Sequence, residues 1–118
     1  MKHDVTPVLR KHIAELFQIL DRFAVSDRET FVDTAESDIV FQKAVLMCVG
    51  YIGELSKKTD DGFRAKYPDI NWRRLGTSRN IIFHEYDVVD MEIISTVVFK
   101  DISTLQVALD SNGNTISQ

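Results

Sequence analysis

Apolar residues recur every three or four positions along most of this chain, the spacing that places them on one face of an α-helix. The first such run predicts an amphipathic helix of roughly five turns, with apolar positions at Val5, Val8, Leu9, Ile13, Leu16, Phe17, Leu20 and Phe23. The last run predicts another amphipathic helix, with apolar positions at Met91, Ile94, Val98, Ile102, Leu105 and Leu109. Two prolines and five glycines in 118 residues are too few for the many turns that would connect short strands. The pattern therefore predicts an all-α fold.

Further helices are predicted between these two runs. Ser26 and Glu29 form a capping box, in which the serine hydroxyl can accept from the Glu29 amide and start a short helix. Asn71 is a suitable N-cap for a later helix, which follows a polar break at 59–62. The predicted helices cover about 27–35, 37–58 and 72–85, with a single helical turn at 63–67.

The segment 37–58 is apolar on more than one side. One broad arc contains Val40, Phe41, Ala44, Val45, Cys48, Val49, Ile52 and Leu55. Leu46, Met47 and Tyr51 lie elsewhere on the helix, so either it is the central helix of a bundle or another subunit covers its second face. Gly50 and Gly53 each disfavour a helix by roughly 1 kcal/mol relative to Ala, which predicts close packing at both positions.

Composition and charge narrow the possible functions. The length fits a single domain over 1–118, with 111–118 predicted as a frayed tail. The net charge of −4 argues against a generally basic nucleic-acid binder, so any contact with RNA must be local. No signal peptide or membrane span is expected, and the predicted compartment is the cytoplasm. Cys48 is predicted to be a buried, inert thiol, and the histidine and cysteine spacing predicts neither a metal nor a cofactor.

The densest group of reactive side chains lies in the segment 79–86. On a helical wheel, Arg79, Asn80, Phe83, His84 and Tyr86 fall on about half of the helix, with Tyr86 only about 20° from Arg79. Asn80 lies four residues before His84 and can orient its imidazole, while the Arg79 guanidinium suits a phosphate. An acid/base group beside a phosphate clamp is what RNA cleavage by 2′-hydroxyl attack requires, without a metal.

The spacing alone leaves a simpler interpretation open. Arg79 and Glu85 can be solvated, His84 can favour a helix C-terminus, and Tyr86 can extend from the core towards solvent. Nearby Arg73 and Arg74 are possible RNA contacts, although exposed arginines are mostly solvated. Other polar and aromatic residues are predicted to have structural roles. Trp72 is expected to be a core or interface anchor, and His12 a surface residue. Lys57 and Lys58 are expected to stabilise a helix end.

The region 41–90 resembles the HepT-like branch of the HEPN superfamily. The residues that carry the resemblance are Gly53-Glu54, Ile70-Asn71-Trp72-Arg73, Arg79-Asn80, His84-Glu85-Tyr86 and Asp90. The resemblance implies an up-and-down bundle of four or five helices that dimerises, with motifs from two subunits in one composite cleft. It also implies a metal-independent endoribonuclease that acts on RNA as the toxin of a type VII-like toxin–antitoxin pair.

The resemblance also implies roles for single residues. Arg79 and His84 would be catalytic, and Asn80 and Tyr86 would support them. An antitoxin similar to MntA, a minimal nucleotidyltransferase, would transfer AMP groups from ATP to Tyr86 and so inactivate the toxin. An alternative is a non-catalytic helical partner, or substrate-binding subunit, of such a nucleotidyltransferase. The presence of all four residues favours the enzyme.

Overall fold

The computed structural model describes the backbone of residues 4–116 and the side chains of residues 4–110. The α-helices are α1 (Thr6–Arg22), α2 (Arg28–Ser37), α3 (Ile39–Lys57), α4 (Asp61–Ala65), α5 (Trp72–His84), α6 (Met91–Thr96) and α7 (Ser103–Ile116). A 3₁₀ turn at Tyr86–Val88 follows α5, and a π-helical turn at Val97–Ile102 joins α6 to α7. The part of the chain that the structure describes contains no strand, which confirms the predicted all-α fold.

The start of α2 differs from the prediction. Its N-cap is Asp27, whose carboxylate accepts from the Thr30 amide at 2.8 Å. The predicted capping box at Ser26 and Glu29 was therefore wrong. Asp27 has the extended backbone that an N-cap needs, and its short acidic side chain takes the role one residue later than expected.

A single residue separates α2 from α3. The Asp38 amide donates to the Thr34 carbonyl at the end of α2, and its carboxylate accepts from the amides of Val40 and Phe41 at the start of α3. The third helix therefore begins at Ile39, two residues later than predicted. Asp38 has an extended backbone and satisfies backbone groups at both helix ends, so it ends α2 and starts α3.

The central helix is α3, which packs against α1 on one side and α5 on the other. Its buried side chains belong to one continuous core with those of the other helices, including Leu16, Phe31, Leu75, Ile94 and Leu105. By length and hydropathy alone α3 could also cross a membrane, but half of that stretch is buried in this domain, as in the core helix of a globular protein. The helix still exposes a second apolar stripe of Val40, Met47 and Tyr51.

The last helical stretch is tied to α5 through a buried carboxylate. Asp101 lies in the π-helical turn, is fully buried, and accepts from Nε and Nη2 of Arg74 at 2.7 and 2.9 Å. It also accepts from the Asn71 amide at 3.1 Å. A buried carboxylate with three donors therefore joins the first turn of α5 to the π-helical turn between α6 and α7. The predicted frayed tail at 111–118 is helical over 111–116, because α7 continues to Ile116, and 117–118 lie outside the described residues.

Candidate active site

Arg79 is held where α5 approaches α3 most closely. A Cβ atom on Gly53 would lie 2.8 Å from both the Arg79 Cβ and the Leu75 carbonyl oxygen, and one on Gly50 would meet the Phe83 ring at 2.8 Å. At Gly53 only glycine allows this spacing, because the obstacles are a backbone oxygen and a Cβ atom, whereas at Gly50 the obstacle is the tip of a side chain. Both contacts confirm the close packing predicted at the two positions. The two helices therefore bring Arg79 directly against the surface of α3.

Two neighbouring side chains orient the Arg79 guanidinium. The Glu54 carboxylate lies 2.6 Å from its buried Nε, an ion pair in which the Nε–H is not aligned for a hydrogen bond. Nη1 donates to Asn80 Oδ1 at 3.1 Å, and Cζ lies 5.3 Å from the centroid of the Phe83 ring. Nη2 has no partner among the described residues. The planar cation is thus fixed on one edge and available to an anion on the other.

Asn80 supports Arg79 and not His84. Its side-chain oxygen accepts from Arg79 Nη1 and from Lys57 Nζ, the latter at 2.9 Å. No hydrogen bond joins Asn80 to His84 in the described part of the chain, so the predicted orientation of the imidazole by this amide is not observed. The oxygen is instead occupied by two cations, because Lys57 reaches it from α3.

His84 is the last residue of α5, and its side chain is exposed. Within residues 4–110 it has no hydrogen bond, ion pair or ring contact. An imidazole at a helix end, one and a half turns after a fixed guanidinium, is able to approach a ligand that the guanidinium holds. The structure therefore places the two predicted catalytic residues in the C-terminal half of one helix.

Tyr86 does not lie on the helix face that the sequence predicted. The backbone leaves the helix at Glu85, where φ is −137° and ψ is 49°, and Tyr86 begins the 3₁₀ turn. The predicted 20° separation from Arg79 was therefore wrong. The half-buried Tyr86 ring instead meets α3: Lys43 Nζ donates to the phenol oxygen at 3.1 Å and lies 4.4 Å from the ring centroid.

The adjacent arginines at the start of α5 have different environments. Arg74 was a possible RNA contact, but two nitrogens on one edge of its guanidinium donate to Asp101. This hydrogen-bonded carboxylate raises the pKa of Arg74 above its ordinary value. Arg74 therefore stabilises the fold through this ion pair and is not a candidate RNA contact. Arg73 is exposed and has no partner among the described residues, so it keeps its predicted role as a candidate RNA contact.

Other residues singled out in the sequence have structural roles. Trp72 is half-buried and donates from its indole N–H to the Tyr67 carbonyl, as expected of a core anchor. His12 is less exposed than predicted, because its ring stacks on Tyr51 at 4.7 Å. Cys48 is buried, and burial raises the pKa of its thiol, which agrees with an inert cysteine. Among the described residues, no group of three histidine, cysteine or acidic side chains is placed to hold a metal ion.

Three site residues on α3 were missed as members of the site. Lys43 lies seven residues before Gly50, Glu54 four residues after it, and Lys57 seven residues after it. At this helical spacing the three side chains share the face of α3 that meets α5. The close approach predicted at Gly50 was the available signal, since it marks which face of α3 the partner helix covers. The sequence did not identify α5 as the helix that packs on this face, so no neighbours could be predicted for the three side chains.

Comparison with known proteins identifies the family of this chain. The ribonuclease HepT-like family model matches residues 9–111. A probable ribonuclease HepT of Thermococcus cleftensis is 31% identical over 94 residues, which are 80% of this chain and 83% of that protein. A relative named as an RNase in Methanocaldococcus jannaschii is 30% identical over 101 residues, 86% of this chain and 80% of the relative.

A third relative, named as an RNase in Caldanaerobacter subterraneus, is 28% identical over 100 residues, 85% of this chain and 86% of its own length. No solved structure shows a significant match to the chain. The family match spans the whole of α3 and α5, which carry the candidate site. It confirms the predicted family and, with it, the enzyme class. The chain belongs to the ribonuclease HepT-like family.

Proposed function

We propose that this protein is a metal-independent endoribonuclease that cleaves RNA by attack of the 2′-hydroxyl on the adjacent phosphate. The observation that carries the proposal is the pairing of a fixed cation with an unengaged acid/base group: Glu54 and Asn80 hold Arg79, and His84 follows on the same helix without a partner among the described residues. An oriented guanidinium stabilises the charge that develops on the phosphate, and an imidazole moves the proton.

The reaction needs both proton acceptance and proton donation. One His84 imidazole removes the proton of the 2′-hydroxyl, and the resulting oxygen attacks phosphorus and displaces the 5′-oxygen of the next nucleotide. A second acid protonates that leaving oxygen, so the products are a 2′,3′-cyclic phosphate and a free 5′-hydroxyl. Each chain supplies one His84, and a dimer would supply a base and an acid to the same phosphodiester.

The exposed surface beside the site supports a dimer. Val40, Met47 and Tyr51 form the exposed apolar stripe on α3, and the face that contacts Arg79 and Tyr86 adjoins it. Burial of this stripe against its copy would bring two candidate sites together in one cleft. A composite cleft would also concentrate positive charge locally in a protein with a net charge of −4.

Cleavage of a labelled RNA by the purified protein tests the catalytic proposal. We expect Arg79→Ala and His84→Ala each to reduce the cleavage rate by on the order of a hundredfold, because each removes one contribution to the transition state. Arg22→Ala is the control, since this exposed arginine lies in the last turn of α1, outside the site and the apolar stripe, and it should retain the wild-type rate. Loss of cleavage with EDTA, together with an active His84→Ala variant, would contradict the metal-free mechanism.

We also propose that the protein acts in the cytoplasm as the toxin of a toxin–antitoxin pair, and that an MntA-like nucleotidyltransferase inactivates it at Tyr86. The phenol oxygen would attack the α-phosphorus of ATP, forming an O–P bond with AMP and releasing pyrophosphate. Lys43 Nζ lies 3.1 Å from that oxygen and would pair with the new phosphate. The adduct would place an anion and a nucleotide beside the composite cleft in which RNA would be cleaved.

Co-expression with a cognate MntA-like nucleotidyltransferase tests this switch. The Tyr86 peptide should gain the mass of one or more AMP groups, and toxicity and cleavage should both disappear. Tyr86→Phe removes the acceptor oxygen and should prevent both changes, whereas Tyr51→Phe, at another tyrosine, should not. Silencing of Tyr86→Phe to the same extent would indicate inhibition by binding. A protein that accepts AMP but never cleaves RNA would support the non-catalytic partner instead.

A further inference from the structure

A cleft of about 440 Å³ opens beside Arg79, between the end of α3, α4 and the outer side of α5. Its polar and aromatic lining includes Lys57, Arg64, Trp72, Arg73, Thr77 and Asn80. None of the lining residues that the structure describes is acidic. A concave surface with three cations is unusual in a chain in which acidic residues outnumber basic ones, and it suits a phosphate.

Two of the three cations are available to a ligand. Arg64 is already engaged, since Nη1 donates to the Thr59 and Ser56 carbonyls and Nη2 pairs with Asp61 at 2.5 Å. Lys57 and Arg73 have no acidic partner in the described part of the chain, and both side chains are exposed. The net positive charge of the cleft therefore comes from these two residues.

Gly76 determines where Lys57 lies. A Cβ atom on this glycine would be 3.1 Å from Cε of Lys57, so the lysine stem crosses α5 at the one position of the described cleft wall without a side chain. This path brings the ammonium to Asn80 Oδ1 at 2.9 Å. A lysine at the end of α3 thereby contributes its charge to the surface of α5.

Asn80 connects the cleft to the candidate active site. Its oxygen accepts from Lys57 Nζ at 2.9 Å and from Arg79 Nη1 at 3.1 Å, so the two cationic nitrogens are no more than about 6 Å apart. A polyanion whose reacting phosphate is bound by Arg79 would find its next positive charge in this cleft. The cleft and the site thus form one continuous path for a charged backbone.

We propose that this cleft binds an RNA backbone phosphate adjacent to the scissile one, through Lys57 and Arg73. The inference rests on the proposed ribonuclease function, and it assigns the direction in which the RNA strand leaves the site. The cleft adds affinity without reading sequence, because its cations contact phosphate and not base edges. Strands long enough to reach the cleft should therefore be preferred as ligands over dinucleotides.

Binding of single-stranded RNA by otherwise intact protein tests the cleft. Fluorescence anisotropy with the His84→Ala protein measures affinity for a labelled oligoribonucleotide over a range of salt concentrations. Adding Lys57→Gln and Arg73→Gln should weaken binding by on the order of tenfold, and should reduce the slope of log affinity against log salt by about 0.7 for each phosphate-binding cation that is removed. Lys58→Gln with Arg22→Gln removes the same charge outside the cleft, and should keep the original slope.

The results separate the cleft from the enzyme. Equal slopes for the two double variants, or no RNA binding by the His84→Ala protein, would overturn the cleft proposal, and an active wild-type enzyme would then leave the ribonuclease proposal standing. The wild-type protein could instead cleave no RNA, while the cleft double variant has a smaller salt slope than the control double variant. The ribonuclease proposal would then fail, and the phosphate site would stand. A reduction in affinity that is as large for a dinucleotide as for the longer strand would also contradict a separate phosphate site.

Discussion

Arg73 and Arg74 are adjacent in the sequence, yet only one of them belongs to the interior of the fold. Arg74 reaches across to the fully buried Asp101, while Arg73 faces the cleft beside the candidate site. The difference arises from helix geometry, because neighbouring residues on a helix point about 100° apart. We therefore expect substitution of Arg74 to affect stability and substitution of Arg73 to affect RNA binding.

We expect Arg74→Ala to lower the free energy of unfolding by about 3 kcal/mol, since it leaves the buried Asp101 carboxylate without its charged partner. Arg73→Ala should change that free energy by no more than about 0.5 kcal/mol, as is usual for an exposed side chain. Urea denaturation followed by circular dichroism measures both. Equal stability of the two variants would contradict the structural role given to Arg74.

The spacing between α3 and α5 depends on a glycine at the point of closest approach. We expect Gly53→Ala to destabilise the fold by about 1–3 kcal/mol, because the new Cβ would collide with the Arg79 Cβ and the Leu75 carbonyl, and neither is a flexible chain end. Cleavage should fall as well, since relief of the collision moves Arg79 away from Glu54.

Gly62→Ala is the matched control for this change. Its Cβ would meet only the Asp60 carboxylate oxygen at 3.4 Å, an ordinary contact at the start of α4. Thermal denaturation should show a stability equal to or slightly above that of the wild type, because alanine restricts the unfolded chain. If both glycine variants are equally stable, the close approach at Gly53 is not a constraint on helix packing.

Hydrophobic periodicity predicted the long helices well because each of them buries one face in a common core. It could not predict where helices end, since the ends depend on single polar groups. Asp27 and Asp38 cap their helices through side-chain oxygens, and Glu85 leaves the helix one residue before Tyr86. The helical wheel assumed that the helix continued, and so it placed Tyr86 beside Arg79.

The motif residues of the candidate site were visible in the sequence, but their partners were not. Arg79 and His84 lie within one helix, so their relation follows from spacing alone. Glu54, Lys57 and Lys43 come from a different helix, and their contacts depend on which helix packs on which. Local pattern therefore predicted the reactive groups, and tertiary packing determined what orients them.

At the scale of the whole molecule, the proposed dimer follows from the exposed apolar stripe on α3. Light scattering should give twice the 13.5 kDa of one chain, and Met47→Glu should give a single chain, because it places a charge in the centre of the stripe. Val107→Glu introduces the same charge on α7, at a side chain that is similarly exposed, and should keep the dimer. A monomeric wild type would remove the composite cleft from the proposed function.

The close contact between α3 and α5 also has a consequence for how quickly the parts of this chain fold. The Lys57–Asn80 hydrogen bond joins residues 23 positions apart, whereas Arg10 reaches the Leu109 carbonyl across 99 positions. Short loops close at a lower entropic cost, so we expect α3 and α5 to be paired in the folding transition state, before α7 docks on α1. Stopped-flow measurements should then show that Gly53→Ala slows folding, whereas Arg10→Ala mainly accelerates unfolding.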